Sequence, residues 1–105
     1  MPDLKIMRGK DKKKKINEVE FNEEFEEIGA LFNQGAVKSL SRLQEIKPTN
    51  LSRAMQMGYY TFLEKLRNPE NFSIEEIIKL AIFIGTDYNK ILEVINKMIQ
   101  EKYKI

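Results

Sequence analysis

Apolar residues recur along this chain at steps of three and four, the repeat that lines one face of an α-helix. Phe21, Phe25, Ile28 and Phe32 form the first such face, and glutamates occupy most positions between them. Asn22 is placed to cap this helix, and Glu23 and Glu24 fall in its first turn, where the helix dipole favours negative charge. Asn33, Gln34 and Gly35 carry a breaker signature and close it.

Five more helical patterns follow. Val37, Leu40 and Leu43 mark a helix over 36–46, stopped by Lys47 because the residue before Pro48 is pushed out of helical geometry. Leu51 and Met55 mark a short helix over 49–56, and Met57 and Gly58 break it. Phe62 and Leu66 mark another over 59–67. After a loop at 68–72, Ser73 and Glu76 have the spacing of a capping box. The helix behind them buries Ile77, Leu80, Ala81 and Ile84 and closes at Gly85, a residue suited to a left-handed cap. Asp87 caps the last helix, over 88–103, whose stripe is Ile91, Ile95, Met98 and Ile99. Strand-like alternation is confined to Ile16–Phe21, and no internal repeat is found. The expectation is an all-α chain: a basic arm over 1–15, an acidic amphipathic helix within 16–34, and a five-helix domain over 35–105.

Charge alters this picture because it is uneven. The net charge of +2 conceals three zones. Residues 1–15 hold seven bases, among them Lys12, Lys13, Lys14 and Lys15, against Asp3 and Asp11, a net +5. Residues 16–28 hold six glutamates and no base, a net −6, and the remainder carries +3. Blocks of like charge serve as solvated termini or as interaction arms. The glutamates are accounted for as the exposed face of the first helix.

Composition narrows the chemistry. One hundred and five residues make about one domain. Cysteine and histidine are both absent, which excludes disulfides, thiolate or imidazole metal sites and any relay that needs either residue. No apolar run exceeds the five residues of 80–84, far short of the ~20 of a membrane span. The N-terminal segment has charge but neither the apolar stretch nor the cleavage site of a signal peptide. A non-enzymatic, cytoplasmic protein without cofactor or metal is expected.

The informative stretch runs from Thr49 to Ile84. A short helix with a small residue at Ser52, a tight turn plugged by Met57, and a second short helix seated by Phe62 and Leu66 form the pattern of a helix-turn-helix unit. The helix over 73–84 would buttress both from behind. Residues 51–69 (LSRAMQMGYYTFLEKLRNP), then 72–81 (FSIEEIIKLA) and 84–88 (IGTDY), together with the helix over 36–46, resemble the lambda-repressor-like (Cro-type, XRE-like) helix-turn-helix DNA-binding family. The likeness is to its small phage- and regulator-type members common in Bacteroidetes, and it covers about residues 35–95. The family usually has alanine where Ser52 stands, and serine is small enough to replace it. It usually has glycine at the turn position of Gln56, where a left-handed backbone is wanted. Glutamine takes that conformation at a cost of roughly 1 kcal/mol, and Gly58 offers an alternative place for the turn.

The resemblance implies a sequence-specific transcriptional regulator of double-stranded DNA. Its second helix would enter the major groove with Tyr59, Tyr60, Thr61, Glu64 and Lys65 toward base edges. Thr49, Asn50, Arg53, Arg67 and Asn68 would meet phosphates, and Lys12–Lys15 would add salt-sensitive contacts. The bases and acids between Lys38 and Arg67 sum to +4, which suits a phosphate-facing side. Plainer roles stand beside these: Tyr59 and Tyr60 as packing at the core rim, Glu64 as a solvated or ion-paired residue. The stripe of Ile91, Ile95, Met98 and Ile99, extended to Tyr103, is intramolecular core or a homodimer seam. A rival function is a protein-interaction module, antitoxin-like or adaptor, that keeps the fold without reading bases and meets a protein partner at the acidic helix. The two part on one observation: glutamates on the side of Tyr59–Lys65 favour the rival.

Overall fold

The computed structural model describes residues 15–105, and Lys12, Lys13 and Lys14 of the basic arm lie outside them. Among the described residues the chain is helical with no strand. Five α-helices follow one another among these residues: α1 (Glu26–Asn33), α2 (Pro48–Ala54), α3 (Tyr59–Arg67), α4 (Ile74–Ile84) and α5 (Tyr88–Tyr103). Four short 3-10 helices, at Ile16–Glu18, Glu23–Phe25, Leu40–Glu45 and Pro69–Asn71, fill the spaces between and before them.

The local signals decide most helix ends. Asn22 accepts a hydrogen bond from the Glu24 amide at 2.9 Å, but the first turn it caps is 3-10, and α-geometry begins only at Glu26. Ser73 and Glu76 form the reciprocal capping box, each bond 3.0 Å long. Asp87 accepts from the Asn89 amide at 2.8 Å. Gly85 closes α4 with φ 76°, the left-handed conformation that glycine adopts without a Cβ penalty.

One predicted α-helix, over 36–46, is not α-helical. Residues 36–39 carry no regular structure, and Leu40–Glu45 is a 3-10 helix, with Ser39 accepting from the Ser41 amide at 3.2 Å. The spacing supplies the reason. Val37, Leu40 and Leu43 are all buried, but Val37 precedes the helix, and Leu40 and Leu43 within it lie three residues apart, the repeat of a 3-10 helix. The amide of Leu40 donates to the Met98 sulfur at 3.2 Å, which ties this segment to α5.

Phe21 also departs from expectation. It lies before the helix rather than on its buried face and is 47% exposed. Its ring crosses Gly85, where an added Cβ would meet ring carbons at 2.8 and 2.9 Å. Val19, not Phe21, enters the core from this segment. The Asn22 amide donates to the Phe83 carbonyl at 3.0 Å, so the acidic segment is fastened to the end of α4. Its two 3-10 turns pack against α4, whose Phe83 and Lys79 are buried in addition to the predicted stripe.

One core joins all of this. Phe25 from the 3-10 turn before α1, with Ile28 and Phe32 from α1, meets Leu40 and Leu43, Leu51 and Met55 from the α2 end, Phe62 and Leu66 from α3, and the inner faces of α4 and α5. The principal partner of α3 is the 40–45 segment rather than α4, while α4 packs mainly on α1 and α5. The support expected from the helix over 73–84 thus comes mainly from the 3-10 segment instead. Gly29 lets α1 meet the end of α4 closely: a Cβ there would fall 1.8 Å from the Ile84 carbonyl oxygen.

Candidate functional site

Helices α2 and α3 pack on each other through a tight turn at residues 55–58. Of the two places open for its left-handed residue, the chain uses Gln56, with φ 57°, while Gly58 is extended at φ −62° and ψ 148°. The Met57 amide then reaches back to the Ser52 carbonyl at 3.0 Å, and Met57 packs against the core. Ser52 is buried, and its hydroxyl donates to the Thr49 carbonyl at 2.9 Å. A buried small residue whose polar atom is bonded within its own helix lets two backbones come close without an orphaned hydroxyl. Lys47, just before Pro48, is left-handed as well, at φ 48°. The position before proline disfavours helical geometry, as the sequence predicts, but it is left-handed rather than extended.

The exposed face of α3 begins with two aromatic rings. Tyr60 is 81% exposed and Tyr59 39% exposed, and their rings meet edge to face with centroids 5.2 Å apart. Tyr60 is too exposed for packing at the core rim, whereas the exposure of Tyr59 fits either role. Thr61 and Glu64 are exposed on the same short helix. Lys65 is engaged elsewhere: its Nζ donates to both carboxylate oxygens of Glu76, at 2.9 and 3.1 Å, and lies 5.9 Å from the centre of the Phe72 ring. The pair is mostly shielded, the two side chains 21% and 19% exposed, and it binds α3 to the start of α4.

The residues expected at phosphates divide in the same way. Thr49, Arg53 and Arg67 are exposed. Lys15 is exposed too, and its amide donates to Glu18 at 3.0 Å. The Asn50 side-chain amide donates to the Glu24 carboxylate. Asn68 accepts from Lys102 Nζ at 2.5 Å and caps α3 through its amide, which donates to the Glu64 carbonyl. Lys102 also meets Glu70 at 2.5 Å, and Tyr103 donates to the same carboxylate oxygen at 2.9 Å. The hydrogen bond from Lys102 holds the Glu70 carboxyl below its ordinary value, and the bond to Glu70 raises the Lys102 ammonium above its own.

The acidic segment reaches the helix pair. Glu24 shares a hollow with Asn50 and Arg53, so one of the six glutamates stands beside the start of α2. Glu18, Glu20 and Glu23 gather instead around Phe83 at the end of α4. The stripe on α5 is used within the chain. Ile91 and Ile95 are 0% and 4% exposed in the core, Met98 receives the Leu40 amide, and Ile99 packs on the core as a half-buried residue. Of the five residues of the candidate dimer seam, Tyr103 alone is exposed.

Sequence reasoning missed the Glu24–Asn50 and Lys65–Glu76 pairs. Their members lie 26 and 11 residues apart, beyond any helical spacing, so no local pattern announces them. Among the described residues no group of histidine, cysteine, aspartate and glutamate is arranged to hold a metal ion, and no helix is long and apolar enough to cross a membrane. No protein-family model, curated protein or solved structure matches this chain.

Proposed function

We propose that this chain is a non-enzymatic, sequence-specific DNA-binding regulator of the lambda-repressor-like kind, acting in the cytoplasm, with α2 and α3 as its helix-turn-helix. The observation that carries this reading is the turn. Gln56 accepts a left-handed backbone at the position where the resemblance calls for one, and Ser52 is buried where the two helices touch. A residue held in a costly conformation points to a geometry that the rest of the fold requires. Tyr59, Tyr60, Thr61 and Glu64 supply the exposed edge that would read bases in the major groove. Lys65 acts in this proposal by fixing α3 against α4 through Glu76, and it reaches bases only if that pair opens. Thr49, Arg53 and Arg67, with the lysines at 12–15, supply phosphate contacts. Since Ile91 and Ile95 are enclosed, a two-fold dimer on DNA would meet through other residues, with Tyr103 the member of the stripe left available.

The test is a titration of the full chain against fluorescent duplex DNA at ~50 and ~200 mM salt, a range over which phosphate-dependent affinity falls steeply. Salt-sensitive binding, followed by a changed sequence preference in Tyr60→Ala, is the expected result. No binding at low salt would remove the proposal.

One observation favours a second reading, a protein-interaction module: the Glu24 carboxylate bonded to Asn50 places negative charge where a phosphate would sit. In that case the chain binds a protein partner through the acidic segment, and no duplex binds at either salt concentration.

A further inference from the structure

A hollow of about 210 Å³ lies between the segment leaving α1 and one face of α5, and it shares no residue with α2 or α3. Its apolar lining comes from Phe32, Val37 and Val94, all buried members of the core. Lys38, Lys90 and Lys97 line it too, all exposed. Among the described residues none of these three lysines has a carboxylate partner, although Glu93 lies in the same hollow one helical turn from Lys90 and from Lys97. Lys65, Lys79 and Lys102, by contrast, each meet a carboxylate. The hollow therefore joins an apolar floor to a net charge of +2, three lysines against one glutamate.

Size and spacing select the occupant. The volume is below the ~300–1,000 Å³ of pockets for drug-sized ligands and suits one large side chain. Lys90 and Lys97 are two turns apart on α5, about 10 Å along its axis. That spread matches several carboxylates carried along a segment better than one compact anion. Binding energy at protein interfaces is concentrated where an aromatic or aliphatic anchor fills a preformed pocket, with charges at the rim steering the approach. Floor residues drawn from the core are already fixed, so little ordering is needed when the anchor enters.

We propose that this hollow docks an acidic peptide segment of a partner protein, with one large apolar side chain seated on Phe32, Val37 and Val94 and flanking carboxylates paired with Lys38, Lys90 and Lys97. The site is independent of the helix pair, so it stands whether or not α3 reads DNA.

The experiment is fluorescence anisotropy of the full-length protein with a labelled decapeptide. The peptide carries one central phenylalanine, two glutamates on either side, and serine and glycine elsewhere. Saturable binding is expected at ~50 mM salt, weaker at ~200 mM as screening grows. The double variant Lys90→Gln with Lys97→Gln is expected to weaken it about three- to tenfold, the range of exposed charge pairs. Both lysines are exposed, so circular dichroism should show an unchanged fold. Peptides with glutamine for glutamate, or alanine for the phenylalanine, should bind much less. The proposal is overturned if the acidic peptide fails to saturate, or if the glutamine peptide binds equally well. It is also overturned if the double variant loses duplex DNA affinity instead, which would make the lysines phosphate contacts. Sedimentation showing self-association that the double variant abolishes would assign the hollow to a second copy of the chain and likewise end the proposal.

Discussion

Gln56 holds a backbone conformation, φ 57°, that costs a residue with a Cβ roughly 1 kcal/mol relative to glycine. Gln56→Gly is expected to stabilise the fold by up to that amount, raising the melting temperature by about 4–8 °C per kcal/mol for a domain near this size. Gln56→Val, β-branched in the same conformation, should lower it; calorimetry of the two variants beside the parent checks both signs. The need for a left-handed residue in this turn is legible in the sequence, because two closely packed helices require one somewhere between them, but the choice of Gln56 over Gly58 is made only in the fold. The state of Glu70 is not legible in the sequence. Its carboxyl is held low chiefly by the Lys102 hydrogen bond, and Lys102 is raised chiefly by Glu70. The clasp therefore contributes stability above the ~4.3 of a free glutamate and loses it as pH falls through the lower folded value. The lysine half contributes below ~10.4 and is lost as pH rises through its raised value. A carboxyl titration followed by NMR should place Glu70 below a free glutamate, and Lys102→Met should return it upward. An unshifted Glu70 in the parent would mean that the clasp is open in solution.

Among the elements, the segment over 36–46 shows how a correct buried face can accompany the wrong helix type. Val37, Leu40 and Leu43 are buried as the pattern requires, but Val37 lies in an irregular stretch and Leu40 and Leu43, three apart, in a 3-10 helix. The approach of α1 to α4 rests on Gly29, since a Cβ would fall 1.8 Å from the Ile84 carbonyl oxygen. Gly29→Ala is expected to force the two apart and cost about 1–3 kcal/mol or more, as overpacked sites do. The urea midpoint should drop with an unchanged slope; an unaltered midpoint would contradict the close approach. The acidic segment makes the other element-level claim. Glu24 lies beside Asn50 and Arg53, where a phosphate is proposed, so Glu24→Gln should tighten duplex binding about two- to fivefold, the worth of an exposed charge. Equal affinities for parent and variant at ~50 mM salt would mean that the carboxylate does not compete with DNA.

Across the whole molecule, charge is arranged in sequence blocks that the fold redistributes. The six glutamates do not form one face: Glu24 reaches α2 while Glu18, Glu20 and Glu23 surround the end of α4. The lysines at 12–14 lie outside the described residues, and their proposed role is tested in solution. Replacing Lys12–Lys15 by alanine should flatten the slope of log K against log salt by ~0.9 for each phosphate that the arm no longer neutralises, with the preferred sequence unchanged. A slope equal to the parent's would remove the arm from the interface.

The boundaries of α3, α4 and α5, both caps of α4, the N-cap of α5 and most core positions follow from the sequence. Each depends on residues three or four apart, and that spacing places side chains on one helical face or against one terminus. Which polar side chains remain available does not follow. Lys65 is taken by Glu76, Asn50 by Glu24 and Asn68 by Lys102, partners 11, 26 and 34 residues distant. Phe21 is drawn out of its helical stripe to cover Gly85, and the stripe of α5 is spent on its own core. Such pairings arise only when the helices have packed, because a side chain selects its partner by distance in space, which a local repeat does not encode.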